Sequence, residues 1–243
     1  MDLKGATVLV TGGAIRFGAY LCRAFAARGA QLVVHYHKSA AEAEELLHEL
    51  GCNGHIAVCC DLADPVAAEN MIREIAPDVL INNAASYDRA PLPAEAPESA
   101  IMQYTVNALT PIRMLKTLSE VRGERETAAV NILDCAIAAV PAESFSYVLS
   151  KKMLASATRM AARQCAPYLR VNGVAPGNMI PVKELAHLGM RKTAERLPLK
   201  KAVDPADVAS AAVFLAENSS LTGAVLFADC GQSLLEGADV TCM

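Results

Sequence analysis

The chain has 243 residues, 53% of them hydrophobic, and 22 Lys and Arg against 26 Asp and Glu leave a net charge of −4. That length and apolar content suffice for one sizeable α/β core, and the absence of any Lys/Arg run sets nucleic acid and anionic membrane aside as principal partners. No apolar stretch is long enough for a membrane span, and Met1-Asp2-Leu3-Lys4 leads straight into a predicted strand with no secretory h-region, so the expected compartment is the cytoplasm.

Residues 6–11 predict an apolar strand, 15–28 an amphipathic helix closed by Gly29, 31–36 a second strand and 40–50 its following helix. Strands at 55–60, 79–82, 129–134, 170–174 and 224–227 then alternate with helices near 65–75, 99–121, 144–165 and 205–217. Short apolar strands separated by helices form parallel sheets covered on both faces, through right-handed crossovers. The expected fold is α/β, a single doubly wound sheet of Rossmann type spanning 1–243 as one domain. No linker, repeat or low-complexity tract divides it.

Open sheets of this kind bind ligands outside the carboxyl ends of their strands, and those ends carry the polar and small residues of this chain. The first reads Thr11-Gly12-Gly13-Ala14-Ile15-Arg16-Phe17-Gly18, a glycine-bearing turn that lets backbone N–H groups and a helix terminus approach a pyrophosphate. Arg16 stands where the common G-x-x-x-G-x-G turn has its middle glycine, which brings a guanidinium beside the phosphates or the reacting ring, unless it is simply a solvated surface arginine. An NAD site wants an acid at the end of the second strand; the chain offers His35-Tyr36-His37-Lys38-Ser39 instead, a cation, a hydroxyl and an imidazole suited to a 2′-phosphate. NADPH is therefore expected over NADH. Ser39 could also cap the helix beginning at Ala40, and the two histidines lack a third ligand, so no metal is expected.

Asp134, Tyr147 and Lys151 carry the expected chemistry. The i, i+4 spacing puts the phenol of Tyr147 and the ammonium of Lys151 on one helix face, where a cation beside a phenol favours proton exchange near neutrality. Asp134 argues for a particular use. A developing oxyanion needs a neutral donor and is repelled by a carboxylate, whereas reduction of a C=N bond needs a proton on ring nitrogen, which a carboxyl with a raised pKa can pass through the phenol. The plain alternative is that Asp134 caps a loop.

With these residues in hand, nearly the whole chain resembles a short-chain dehydrogenase/reductase, through residues 11–18, Asp61-Leu62, Asn82-Asn83-Ala84-Ala85, Asn107, Tyr147 to Lys151 and Pro176-Gly177. Within that family it is similar to pteridine reductases and dihydromonapterin reductases, by Arg16, by 35–39 with the following Ala-Ala-Glu-Ala, and by Asp134 where most members have serine. The resemblance implies that Gly12, Arg16, Phe17 and Gly18 hold the pyrophosphate, His37, Lys38 and Ser39 the 2′-phosphate, and Asp61 and Leu62 the adenine. It further implies Asn83 and Ala84 at the riboses, Pro176 and Gly177 among the cofactor-binding residues, Lys151 on the nicotinamide ribose, and Asn107 supporting a water relay to Lys151. Tyr87, a phenylalanine in those relatives, matches the aromatic that stacks on a pterin, with Arg16, Asp134, Tyr147 and Met179 completing the substrate site. The segment 178–200, with Met179, Leu185, Leu188 and Met190 among charges, corresponds to a substrate lid, and the family's assembly implies a homotetramer.

Eight cysteines lie scattered without C-x-x-C or Cys/His spacing and read as small buried hydrophobes; Cys135 is singled out because it adjoins Asp134. The leading expectation is an NADPH-dependent pteridine reductase. Behind it stand an NADPH-dependent carbonyl or enoyl reductase of the same family and, from another class, a non-catalytic NADPH-binding regulator.

Overall fold

A parallel sheet of seven strands runs through the computed structural model, which describes residues 1–51, 54–179 and 194–235. The elements in chain order are β1 (Thr7–Val10), α1 (Arg16–Ala26), β2 (Gln31–Tyr36), α2 (Ala40–Leu50), β3 (Ile56–Cys59), α3 (Pro65–Ile75) and β4 (Val79–Asn82). There follow α4 (Pro97–Tyr104), α5 (Thr110–Arg122), β5 (Thr127–Ile132), α6 (Phe145–Gln164), β6 (Leu169–Pro176), α7 (Pro205–Glu217) and β7 (Val225–Ala228).

Strand order is β3-β2-β1-β4-β5-β6-β7. The chain starts in the middle of the sheet, builds outward to β3, and returns to pair β4 with β1 through Val8 and Val79, Leu9 and Leu80, Val10 and Ile81. That return is the switch point, where connections leave in opposite directions and open a crevice. Burial follows position: β4, β5 and β6 are buried at every residue, whereas the edge strands β3 and β7 alternate between exposed and half-buried.

The period of two sorts the strands onto the sheet's two faces. Val8, Val10, Val34, Ile81 and Val130 pack with Leu21 and Phe25 of α1, Leu46 of α2 and Val213 of α7. Leu9, Val33, Leu80 and Ala129 pack with Ile72 of α3 and Met114 and Leu118 of α5 on the other face. At roughly 1.5 to 3 kcal/mol for each large apolar side chain fully buried, these two layers hold α1, α2 and α7 on one face and α3 and α5 on the other, while α6 packs through Leu154 against Leu133 and Ala175.

The sequence suggests one helix over 99–121, and the structure divides it. A single wide turn of five residues, Thr105–Leu109, interrupts the α-helical ladder between α4 and α5. Such π turns are rare and have no composition signature, and they recur at functional sites. This one carries the buried Asn107.

Candidate active site

The β1–α1 turn is packed too closely to admit side chains at its glycines. A Cβ on Gly18 would lie 1.9 Å from the Gly12 carbonyl oxygen, and one on Gly12, which has φ of +60°, would meet Ala84 Cα at 3.2 Å. Arg16 has φ of +52°, a left-handed conformation that costs a non-glycine residue about 1–2 kcal/mol. The arginine therefore keeps the backbone of the glycine it replaces, at an energetic penalty, with its side chain exposed.

The turn is tied to the end of β4. Thr11 Oγ1 accepts from the N–H groups of Asn83 and Ala84 at 2.8 and 3.0 Å, and donates to the Ile81 carbonyl at 3.2 Å. The Asn83 amide donates to the carbonyls of Thr11 and Gly12 at 2.8 and 3.2 Å. Asn83 thus uses its side-chain donor to hold the turn, so what it offers a ribose is its backbone and its place on the crevice wall.

A cleft of about 610 Å³ opens at the switch point, lined by the glycine turn, Asn83 and Ala84, Tyr87, Asp134, Tyr147, Lys151 and the Pro176–Met179 end of β6. Asp134 sits between β5 and a single 3₁₀ turn, Cys135–Ala138, and divides its carboxyl between two tasks. Oδ1 accepts from the Ala136 N–H at 2.8 Å, and Oδ2 accepts from the Tyr147 hydroxyl at 2.9 Å. Loop capping and chemistry, which the sequence presents as alternatives, coexist because each takes one oxygen.

Burial raises the Asp134 pKa, against hydrogen bonds from Ala136, Tyr147 and Cys135 and the charge of Lys151. Lys151 is buried, donates to the Ile132 carbonyl at 2.8 Å and sits 5.8 Å from the centre of the Tyr147 ring. Desolvation lowers its pKa to about 8, opposed by Asp134. The two shifts run in opposite directions, Asp134 up and Lys151 down, and in both groups burial favours the uncharged form, the kind of perturbation that marks sites of proton transfer. Cys135 is buried against this loop and does not line the cleft.

Tyr87 stands edge-on to Tyr147, with ring centres 4.8 Å apart and planes at 89°, and its hydroxyl lies 3.2 Å from Ser144 Oγ. The segment bearing it is fastened to the start of α6, since the N–H groups of Ser144 and Phe145 donate to the Arg89 and Ala90 carbonyls at 3.1 and 3.3 Å. A half-exposed aromatic is thereby fixed in the lining of the cleft that Arg16 also lines.

Six expected residues do not line the cleft. His37, Lys38, Ser39, Asp61 and Leu62 lie beyond the ends of β2 and β3, beside it in sheet order, with His37 Nε2 3.8 Å from Asp61 Oδ2. Leu62 is buried. Its carbonyl accepts from Thr110 Oγ1 at 2.8 Å. Ser39 occupies the N-cap position of α2 but makes no side-chain cap hydrogen bond, so its hydroxyl is not taken by the helix. Asn107, the sixth, is buried, bonds both backbone groups of Ser86, and donates to Ser150 Oγ at 3.0 Å.

Met179 lines the cleft and packs partly on the core, while residues 180–193 of the expected lid lie outside the described residues. Among the described residues no group of His, Cys, Asp and Glu could hold a metal ion, and no helix is long and apolar enough to cross a membrane. His35, which the sequence shows only as part of the 35–39 segment and to which it gives no role of its own, is buried beneath the glycine turn.

Residues 14–233 match the family described as enoyl-(acyl carrier protein) reductase. The chain is similar in structure to the alternative dihydrofolate reductase FolM of Brucella suis, solved in complex with NADP: 28% identical, covering 99% of this chain and 100% of that one, with a TM-score of 0.90. The Brucella canis protein of the same name, also with NADP, is 27% identical, covering 97% of each chain at a TM-score of 0.88. Among curated proteins, the L-fucose dehydrogenase of Mus musculus is 31% identical over 248 residues, 95% of this chain and 89% of that protein.

Proposed function

The chain belongs to the short-chain dehydrogenase/reductase family of oxidoreductases, and on that premise we propose that it is an NADPH-dependent pteridine reductase, converting a dihydropterin to a tetrahydropterin. The observation that carries this reading is the Asp134 carboxyl, desolvated and hydrogen-bonded to Tyr147, at the position where the family's carbonyl reductases place serine. The alternative dihydrofolate reductases of Brucella, with NADP, support it.

The residues fit a dinucleotide. The glycine turn leaves room for backbone alone, and α1 and α2 begin without side-chain caps, so N–H groups at both helix starts are available to anions. Arg16 and the α1 start would hold the pyrophosphate, and Lys38, Ser39 and the α2 start the 2′-phosphate, with His37 and Asp61 flanking the adenosine. When bound, the cofactor supplies hydride. Lys151, held toward the Ile132 carbonyl, keeps a positive charge beside Tyr147, and Asn107 steadies this wall through Ser86 and Ser150. Tyr87 and Arg16 would present a face and a cation to a flat, electron-rich ring. Tyr147 gives its proton to ring nitrogen and takes one from protonated Asp134, reversing the hydrogen bond between them.

Exposed Ile101 and Met102 on α4 and Phe145 and Leu149 on the neighbouring α6 give the protein apolar surface for a homotetramer, and the working compartment is the cytoplasm. The second reading, a carbonyl reductase, is favoured by the L-fucose dehydrogenase likeness; the lack at 134 of the serine hydroxyl that most of the family place there opposes it. NADPH oxidation with dihydropterins, simple ketones and acetoacetyl thioesters, for wild type and Asp134→Ser, decides between them. The wild type is expected to favour dihydropterins, and the serine variant to lose about 10² to 10⁴ in rate with them. Indifference of the wild type to every dihydropterin, or equal pterin turnover by the variant, refutes the assignment. Turnover of any substrate excludes a non-catalytic regulator.

A further inference from the structure

His35 is 2% exposed and absent from the cleft wall, yet it touches the turn that opens the cleft. Its Nδ1 accepts from the Gly12 N–H at 2.9 Å, and its Nε2 lies 3.0 Å from the Cys60 carbonyl oxygen. A backbone N–H only donates and a carbonyl only accepts, so the two partners fix the tautomer: Nδ1 is bare and Nε2 carries the hydrogen. The His35 carbonyl accepts from the Gly13 N–H at 2.8 Å, so one residue holds two successive amides of the glycine turn.

We propose that His35 is a positioning residue of the cofactor site, whose neutral imidazole spans from Gly12 to Cys60, fixes the path of the glycine turn, and withdraws the Gly12 N–H from the donors that meet the phosphates. The inference rests on the reading that this turn holds the cofactor. Two observations agree with it. Gly12 has φ of +60°, a conformation that leaves its N–H pointing inward to the imidazole. Burial holds the His35 pKa down at about 4, and of the charged groups that act on it His37 disfavours and Asp61 favours the imidazolium, so Nδ1 remains an acceptor at neutral pH. The phosphates are thereby left to the amides beyond Gly13 and to Arg16.

Two substitutions separate the two hydrogen bonds. His35→Asn keeps an acceptor near the place of Nδ1 and gives up the reach to Cys60; His35→Gln keeps a donor near the place of Nε2 and gives up the acceptor for Gly12. NADPH affinity is read by fluorescence titration, unobscured because the chain has no tryptophan, alongside Tm and kcat at saturating cofactor. The Asn variant is expected to bind NADPH within about threefold of wild type, and the Gln variant about tenfold more weakly, which is about 1.4 kcal/mol, with kcat little changed. Loss that simply follows Tm in both variants means packing alone and overturns the proposal, as does a Gln variant that binds like wild type. A wild type that fails to bind NADPH overturns the cofactor reading itself. Should a variant not fold, the ¹⁵N spectrum of the wild-type imidazole still decides: an unprotonated Nδ1 coupled to the Gly12 amide is expected, and a proton on Nδ1 refutes the assignment.

Discussion

Among the helices that leave the carboxyl edge of the sheet, α3 and α7 begin in one way and α1 and α2 in another. At α3 and α7 an aspartate closes the end: Asp64 accepts from the N–H groups of Val66 and Ala67 at 2.9 and 3.1 Å, and Asp204 from that of Ala206 at 2.8 Å, each followed by a proline at the first helical position. At α1 and α2 no side chain caps the amides, although Ser39 stands in place to do so. The α1 start also carries strain, in Arg16, and rests on a buried imidazole. At α3 and α7 the end is satisfied from within and adds stability; at α1 and α2 the uncapped amides are donors that an anion can meet, and the fold must supply the missing stability elsewhere.

Acid should break the open side first. His35 has a pKa of about 4 in the folded chain against 6.5 in the unfolded one, so its contribution is intact above pH 6.5 and is lost as pH falls toward 4, because the unfolded chain takes the proton first. The full loss is roughly 3 kcal/mol, read by chemical denaturation between pH 7 and 4, and His35→Asn should flatten that part of the profile. A wild-type curve no steeper than the variant's would show that the imidazole is not held neutral.

Reversing charge at the α2 start comes next. Lys38→Asp with Ser39→Ala should lower kcat/KM for NADPH by about ten- to a hundredfold relative to NADH, with Tm nearly unchanged, since Lys38 is exposed and Ser39 makes no cap bond. An unchanged cofactor ratio would place the 2′-phosphate elsewhere. Arg16→Gly sharpens the same point in opposite directions. Relief of the left-handed backbone should raise stability by about 1 kcal/mol while NADPH binding weakens. If affinity holds, the strain has no functional return. The smallest effect belongs to the closed side: Asp204→Ala should cost about 1 kcal/mol in stability and leave NADPH affinity as it was.

The closed ends were the readable ones. The helices over 65–75 and 205–217 were legible to the residue because Asp-Pro is a start signal with a mechanism, and the strands 31–36 and 79–82 because apolar runs end in polar groups. The helix over 99–121 was misread as continuous, since the wide turn around Asn107 depends on that side chain bonding Ser86 and Ser150, neither of them near in sequence. Spacing likewise announced Tyr147 and Lys151, and the choice of aspartate at 134 announced the kind of proton transfer, but not that one carboxyl oxygen caps the loop while the other meets the phenol.

What the sequence determined by itself was therefore whatever depends on local chemistry: the alternation of strands and helices, the glycine turn, the absence of an acid after β2, and the residue types of the Asp134, Tyr147 and Lys151 group. Tertiary structure alone decided which groups face the cleft and in which direction their pKa values move. Pairing β4 with β1 brings Asn83 onto Thr11 and Gly12, sheet order puts His35 beneath the turn, and burial moves the Asp134 pKa upward and that of Lys151 down to about 8. Desolvation and hydrogen bonding are sums over neighbours distant in the chain, and no spacing along the sequence records them.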